Sequence, residues 1–452
     1  MKGFLRASLA VFLALLLVFF ALWRYDKLSK PMAYISGAIA RLEELLNLSE
    51  KPAGGGPQGT PTDPGSDFSG YQPTEVNAGL RSTLLAALMR MDSAIDVGAH
   101  NPTKAELSAA MADIVYSTPE LFYLDLQYSY VTGFDQRVRT VTPSYLYSAA
   151  QVETMRSEYH EALSLVVAGA PKDGSDFDKV LYLHDYFIKN YTYDQTLTIR
   201  DAYTFLTGRT GVCQAYMLAF MAAARELGVL SVPVTSDAMK HAWNLVQLDG
   251  AWYHVDITWD DANTLPSRIS YTYFLQSDQG LVQTDSARPE AERHREWVTA
   301  HTAENSRFDE ALFRRANTGM VQYGGEYFVA VREENSSSSV RGTVFAGTDP
   351  TALTKRFDIK GGVFLAGISS YYPDCYSDLL VRDGVLYFHS GNSVGMLDLT
   401  TEGAAARVLY PAGIGMGSSI YGFLSVGDTE LVLIVATSPS ATVYQTVRVP
   451  LS

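Results

Sequence analysis

The twenty residues KHAWNLVQLDGAWYHVDITW, Lys240 to Trp259, constrain the fold of this chain more than any other stretch, because they specify a hairpin together with its register. Asp249-Gly250 is a residue pair suited to a two-residue turn with both central φ angles positive, and alternating strand-like residues lead away from it on either side. With that pair at the tip, opposed residues have numbers that sum to 499, and a symmetric four-residue loop gives the same register. One face then carries Ala242, Val246, Leu248, Ala251, Tyr253, Val255 and Ile257, interrupted only by Asn244, and is the face to bury. The other carries His241, Trp243, Trp252, His254 and Asp256 and is expected to look into a cleft. There Trp243 faces Asp256, and His241 lies diagonally from Asp256 at roughly 7 to 8 Å along the backbone, within side-chain reach.

Upstream, the turn TGRTG at 207–211 leads into CQAYMLAFMAAAREL, a helix apolar nearly all round that stops at Gly228. Such a helix belongs at the centre of a domain. Cys213 sits in its first turn, where unpaired N–H groups and the helix dipole favour a thiolate. A lone cysteine is equally well explained as a small buried hydrophobe, so the chemical reading needs partners. The hairpin supplies them. A Cys at a helix start, a His on one strand and an Asp on the next are what thiol acyl transfer requires: His241 removes the thiol proton and returns it to the leaving group, and Asp256 fixes the imidazole tautomer. His254 is the competing base, but it projects opposite Leu245, farther from the strand start. Asp260-Asp261 reads as a cation pair or, as expected here, as a capped turn after a strand. No metal and no cofactor is required.

The 452 residues suggest about three folded units. Hydrophobic residues form 47% and charged ones 19%, so disorder is local. With 35 Lys and Arg against 49 Asp and Glu the net charge is -14, which argues against nucleic acid as a partner. Two cysteines, Cys213 and Cys375, make neither a disulfide framework nor a Cys-x-x-Cys motif.

Ala7 to Trp23 is a run of seventeen uncharged, mostly apolar residues, at the short end of what crosses a bilayer. No small-residue pair closes it as a signal-peptidase site would, so residues 1–30 are expected to be an uncleaved membrane anchor. The basic residues on its two sides are nearly balanced, and the bulk of the protein is expected outside, on a single-pass anchor in the cell membrane. Residues 31–73 comprise a juxtamembrane helix and a linker with six Gly and five Pro between Pro52 and Pro73. A mainly helical region (74–170), a catalytic core (171–315) and a β-rich domain (316–452) are expected to follow. In the last, MVQYGGEYFVAV, LLVRDGVLYFHSGNSVGMLDL and FLSVGDTELVLIVATSPSATVYQTVRV each read strand, turn, strand. At about 135 residues the segment is short for four propeller blades, which leaves a small β-sandwich or a truncated propeller-like sheet.

GVCQAYMLAFMAAARELGV followed by HAWNLVQLDGAWYHVDITWDD resembles the core of the bacterial transglutaminase-like superfamily, whose fold is similar to papain-type cysteine proteases. The resemblance extends through STPELFYL, LHDYFIKNYTYD, DAYTFLTG and YTYFLQSD, roughly residues 74 to 300. It implies an α+β fold with a papain-like core and a triad of Cys213, His241 and Asp256. The family includes acyltransferases, peptidases and proteins of unknown activity. The expectation is therefore a membrane-anchored cell-surface thiol enzyme acting on peptide or side-chain amides, with cell-wall peptide among the candidate substrates. A non-catalytic surface scaffold built on the same fold is the alternative. Trp243 and Trp252 are expected to contact substrate. The backbone N–H of Cys213 is an oxyanion donor by geometry, with Tyr193 and Tyr203 as side-chain candidates.

Overall fold

The computed structural model describes residues 76–261, 269–316, 318–332, 341–360, 364–366, 370–372, 378–390, 392–411, 414–415, 418–426, 430–436 and 444–450. The apolar run at 7–23, the juxtamembrane helix, the Gly/Pro linker and Cys375 lie outside them. No helix among the described residues is long and apolar enough to cross a membrane.

Side-chain caps set the starts of the helices. Asn77 caps α1 (Ala78–Met89), Thr103 caps α2 (Lys104–Ser117), Ser148 caps α3 (Ala149–Val167) and Ser175 caps α4 (Asp176–Asn190). The last three are capping boxes, in which Glu106, Gln151 and Asp178 reach back to the cap residue. A small antiparallel sheet joins β1 (Ile95–Asp96), which precedes α2, with β2 (Leu124–Thr132) and β3 (Val138–Tyr145), which follow it, in the order β1-β3-β2. Beyond α4, β4 (Thr192–Tyr193) pairs in parallel with β5 (Thr210–Gly211), and α5 (Ala202–Gly208) lies between them.

The central helix α6 (Cys213–Glu226) buries every residue from Cys213 to Ala224. It ends at Gly228, whose φ of +76° is the left-handed geometry that favours glycine. The N–H of Val229 donates to Ala224 O and that of Gly228 to Arg225 O, the paired bonds of a Schellman stop. Burial of side chains such as Phe220 and Met217 contributes roughly 1.5–3 kcal/mol each.

A five-stranded antiparallel sheet packs against α6 in the order β10-β6-β7-β8-β9: β6 (Ser231–Ser236), β7 (His241–Leu248), β8 (Ala251–Val255), β9 (Phe274–Gln276) and β10 (Val298–Thr299). The β7–β8 hairpin pairs Asn244 with Val255, Val246 with Tyr253 and Leu248 with Ala251, the expected register. Asp249 and Gly250 both have positive φ, +51° and +81°. After Val255 the chain leaves the strand: Asp256 caps the one-turn helix α7 (Ile257–Asp260), so the strand expected to continue to Thr258 is shorter than its alternation implied. Ser277 caps α8 (Asp278–Asp285).

One face of the hairpin, Ala242, Val246, Leu248, Tyr253 and Val255, enters the main core with α6. The opposite face is also covered. Val234, Trp243, Leu245, Tyr273, Leu281 and Ala303 form a second small core, with Trp252, Trp259 and Trp297 packed at its margin.

From residue 321 the described elements are all strands, in consecutive meanders. β11 (Val321–Tyr323), β12 (Glu326–Arg332), β13 (Arg341–Gly347) and β14 (Thr354–Lys360) form the first sheet. A two-stranded pair, β15 (Phe364–Ala366) and β16 (Ser370–Tyr372), follows. β17 (Leu379–Arg382), β18 (Val385–Ser390), β19 (Ser393–Asp398) and β20 (Arg407–Leu409) form the next sheet, and β21 (Ser419–Val426), β22 (Glu430–Ala436) and β23 (Tyr444–Pro450) the last. The middle sheet buries Leu386 and Phe388 against the first sheet, and Tyr387 and Val394 against the last. Covering both faces of one sheet gives three stacked layers rather than the two of a sandwich. The first sheet docks on α4, where the Tyr327 hydroxyl donates to Asp178 at 2.6 Å.

Gly211 is where the fold tolerates least change near the thiol. A Cβ there would lie 2.6 Å from Cδ2 of the buried Phe205 and 2.8 Å from the Cβ of Ala215 on α6. Gly211→Ala is expected to destabilise the chain by about 1–3 kcal/mol, read as a lower urea midpoint at unchanged slope. A midpoint at or above that of the unaltered chain would contradict the packing described.

Candidate active site

Every α-helix among the described residues starts with a side-chain cap except α6, whose cap position is Val212. Its first N–H groups are therefore not claimed by a capping oxygen, and they lie at Cys213. The approach to the thiol is fixed from the other side. Asp194 accepts hydrogen bonds from the backbone N–H groups of Thr196, Thr198 and Ile199, and Ile199 O accepts from Val212 N at 2.9 Å. These donors outweigh burial and hold the Asp194 carboxyl well below the usual carboxylate range.

Cys213 is a free thiol, 4% exposed, near enough to His241 for its sulfur to favour the protonated imidazole. The Nε2 of His241 pairs with Asp256 Oδ2 at 2.5 Å, which leaves Nδ1 for the sulfur. Burial alone pushes His241 down, but the Asp256 charge and hydrogen bond, with the contact to Cys213, overcome it and raise the imidazole to about 10. Asp256, 1% exposed, is held far below the usual carboxylate range: burial opposes, and the charge and hydrogen bonds of His241 and His294 prevail. Its other oxygen accepts from Trp259 N at 3.1 Å, so the cap of α7 also aims the carboxylate. The sequence thus brings together the three residues singled out in it.

Other expectations need correction. Trp243, expected on a cleft wall, is 2% exposed and donates through Nε1 to His254 Nδ1 at 2.9 Å, inside the second core. Trp252 stacks on His301 at 4.2 Å and 10°, at the margin of that core. The reason is physical: an indole is a large apolar body, and the segment that follows β9 folds back over this face. His241 lies between the rings of Trp243 and Trp259, each stacked at 5.4 Å, so the half-buried Trp259 is the indole that shields the imidazole. His254 is occupied elsewhere, with Nε2 on Asp278 at 2.7 Å, and burial lowers it below an ordinary histidine.

Of the two tyrosines considered for the oxyanion, Tyr203 donates to Glu158 at 2.6 Å on the surface. Tyr193 is pushed up to about 12, first by burial and then by the negative charges of Cys213 and Asp256, with Arg200 opposing. Its phenol therefore stands in the field of the thiol centre. A groove of about 230 Å³ runs along the outer side of α6, lined by Leu121, Leu124, Arg200, Gln214 and Leu218 among others.

Sequence reasoning missed His294 and Asp285. His294 Nε2 lies 3.1 Å from the same Asp256 oxygen that His241 engages, and its Nδ1 lies 2.8 Å from Asp285 Oδ2. Tyr273 donates to the other Asp285 oxygen at 2.8 Å. Donor atoms of His241, Asp256 and His294 all fall within 4.8 Å of one another, a spacing a divalent ion tolerates, yet His241 and His294 each already engage Asp256 through a hydrogen bond. The pair Asp260-Asp261 is not a cation site in this geometry: Asp260 is buried on His184, and Asp261 accepts from the Tyr216 hydroxyl at 2.8 Å.

Residues 164–257 match the family model of the transglutaminase-like superfamily, a span that contains Cys213, His241 and Asp256 and ends before Asp285 and His294. No curated protein matches the chain. Among solved structures, a TGase is similar at 16% identity over 30% of this chain and 45% of its own, with a TM-score of 0.21. A candidate cysteine protease from Cytophaga hutchinsonii is similar at 17% identity over 27% of this chain and 51% of its own, with a TM-score of 0.20. A candidate protease from Parabacteroides distasonis is similar at 12% identity over 62% of this chain and 55% of its own, with a TM-score of 0.22. The chain spans about half the length of each. Residues 164–257, which hold the thiol helix and the β7–β8 hairpin, are thus the part of the chain that is similar to the transglutaminase-like superfamily.

Proposed function

We propose that this chain is a membrane-anchored cell-surface thiol enzyme that acts on peptide or side-chain amides through an acyl-enzyme on Cys213. The observation that carries the reading is the placement of His241, paired with buried Asp256 at 2.5 Å and raised further by the nearby Cys213. The thiol proton passes to His241 Nδ1, and the sulfur attacks the amide carbonyl carbon. The carbonyl oxygen takes the negative charge, within reach of the uncapped N–H groups of α6 and of the Tyr193 phenol. His241 then gives its proton to the departing nitrogen as the C–N bond breaks, leaving a thioester. Water or a primary amine attacks the thioester, His241 accepts the proton of the attacking group, and the thiol is regenerated. Asp256 supports the imidazolium throughout and keeps its Nε2 hydrogen engaged.

The seventeen-residue apolar run from Ala7 supports anchoring, and the Gly/Pro-rich linker after it would give the enzyme reach over the cell surface. The groove beside α6 supports a peptide substrate, since its apolar lining, with Arg200 and the carboxylates Asp125 and Asp201 among it, suits an extended segment with mixed side chains. Cell-wall peptide and surface protein are the substrate classes such a location offers.

Water is present at about 55 M, so transfer to an amine competes with hydrolysis only where the amine is bound and water held off. Trp259 over His241 is the group placed for that exclusion. The test incubates the full-length chain with a glutamine-containing peptide and a labelled primary amine and quantifies amide product, glutamate and ammonia. Both products are expected, each dependent on Cys213. Glutamate and ammonia without amine adduct at any amine concentration would leave a hydrolase. The absence of every product, and of a thioester by intact mass, would remove the enzyme reading for side-chain amides.

A further inference from the structure

We propose that His294 is a positioning residue of the thiol centre: held by Asp285 and Tyr273, it places a second imidazole on the Asp256 oxygen that His241 engages, and so sets the negative charge Asp256 presents to His241. This rests on the acyl-enzyme reading above and adds to it an arm that lies beyond the matched span 164–257.

The geometry is that of a relay held from behind. Asp256 Oδ2 is 2.5 Å from His241 Nε2 and 3.1 Å from His294 Nε2. His294 is fixed at its far side twice, since both its Nδ1 and its backbone N–H meet Asp285 Oδ2, at 2.8 and 2.6 Å. The Tyr273 hydroxyl occupies Asp285 Oδ1 at 2.8 Å. Ionised carboxylates only accept, so a ring nitrogen that faces one is satisfied by carrying a hydrogen. The contact of Nε2 with Asp256 is a hydrogen bond with the N–H on the imidazole, and such a bond favours the ionised carboxylate.

Packing alone does not ask for this. His294 fills a slot between Trp259, Trp243 and Tyr273, with ring centroids 4.2, 4.9 and 4.9 Å away. An apolar side chain would fill such a slot without the desolvation cost of an imidazole and a carboxylate, both about 1% exposed or less at their side chains. What only the imidazole supplies is the N–H on Asp256.

The charged and titratable groups around the relay are few. Cys213 and Tyr193 face it from α6 and β4, and Arg200 acts on Tyr193. His254, paired with Asp278, faces it from β8, and Arg288 lies over the Trp259 and Tyr273 rings and 3.9 Å from Asp285. None of these is replaced in the test.

The experiment measures iodoacetamide alkylation of Cys213 from pH 4 to 9 in the full-length chain, with His294→Ala, His294→Gln and Asp285→Asn. Loss of the N–H leaves the charge of the Asp256 oxygen to His241 alone, so the imidazolium is held more firmly, its positive charge is more fully offset at the sulfur, and the acid limb of the profile moves upward. The expected shift is about one pH unit for His294→Ala, about tenfold in rate at a pH on the limb, with a smaller shift in the same direction for Asp285→Asn. His294→Gln keeps an N–H donor and is expected to return the limb toward its original position. A purely structural role would lower the urea midpoint and leave the limb of the folded protein in place, and that result overturns the proposal. If His294→Ala does not fold, the near-isosteric Asp285→Asn decides. The titration of His241 in protein carrying ¹⁵N-labelled histidine is followed in parallel. It is expected to move upward in His294→Ala, or in Asp285→Asn where that variant must serve, and an unmoved titration overturns the proposal. An unreactive thiol in the unaltered chain would count against the acyl-enzyme reading, whereas this titration would still decide the role of His294.

Discussion

In the full-length chain, His241→Ala is expected to slow alkylation of Cys213 by iodoacetamide about a hundredfold at pH 6.5 and to cut amide turnover by about a thousandfold or more. The first figure follows from proton bookkeeping. A thiol of ordinary acidity, near 8.5, is ionised to about 1% at that pH, whereas an imidazole near 10 keeps a proton that such a thiol gives up. Removing the imidazole removes both the acceptor and the positive charge beside the sulfur. Cys375, on the same chain, serves as the reference thiol when the two peptides are resolved by mass spectrometry. His254→Ala is expected to leave alkylation within about threefold while lowering stability, because Trp243 Nε1 and Asp278 lose their common partner. A reversed ranking of the two histidines, or equal slow reaction of both thiols in the unaltered chain, would refute the assignment of His241 as base.

That assignment was legible in the sequence because the hairpin is governed by local rules. Asp249-Gly250 fixes the turn, the turn fixes the register as far as Asn244 and Val255, and the cap of α7 then turns Asp256 onto His241. The capped starts of α2, α3 and α4 are legible for a similar reason, since each rests on residues three apart. His294 has no comparable signature. It lies in the irregular stretch after α8, and it reaches Asp256 across 38 residues of chain through tertiary folding only. The one available signal was scarcity, eight histidines in 452 residues, which does not say where any of them goes.

The second hairpin face was misread for a different reason. His, Trp and Asp residues at alternate positions look like an open polar face when a strand is read alone. Yet Leu281 of α8 and the residues from His294 to Ala303 cover that face, with three indoles packed at its margin. Whether a strand has one buried face or two depends on elements that come later in the chain.

Asp260→Asn is expected to cost about 1–3 kcal/mol at pH 6 and to flatten the alkaline fall in stability. His184 is wholly buried on α4, between Asp185 at 3.0 Å and Asp260 at 3.2 Å, and under the Tyr271 ring. Burial alone would push His184 down, but the two carboxylates outweigh it and raise the imidazole to about 9. A group raised in the folded state contributes its full stability below its unfolded value near 6.5 and loses it as pH rises through 9. The shift corresponds to roughly 3 kcal/mol shared between Asp185 and Asp260, and burial raises Asp260 itself, so its loss removes only a part. Urea midpoints of both proteins at pH 6 and 9.5 give the comparison. The unaltered chain is expected to lose the larger share of its stability between those values, because His184 in the variant has one carboxylate left. Asp260 closes the same helical turn that Asp256 opens, and it also accepts from the Tyr273 N–H at 3.0 Å and the Ser270 hydroxyl at 2.9 Å. Loosening that turn therefore reaches the thiol centre, and Cys213 alkylation in the folded variant is expected to fall together with the midpoint. A variant as stable as the unaltered chain at pH 6, with the same alkaline fall, would show that His184 is neutral in its pocket and that the turn is held by packing alone.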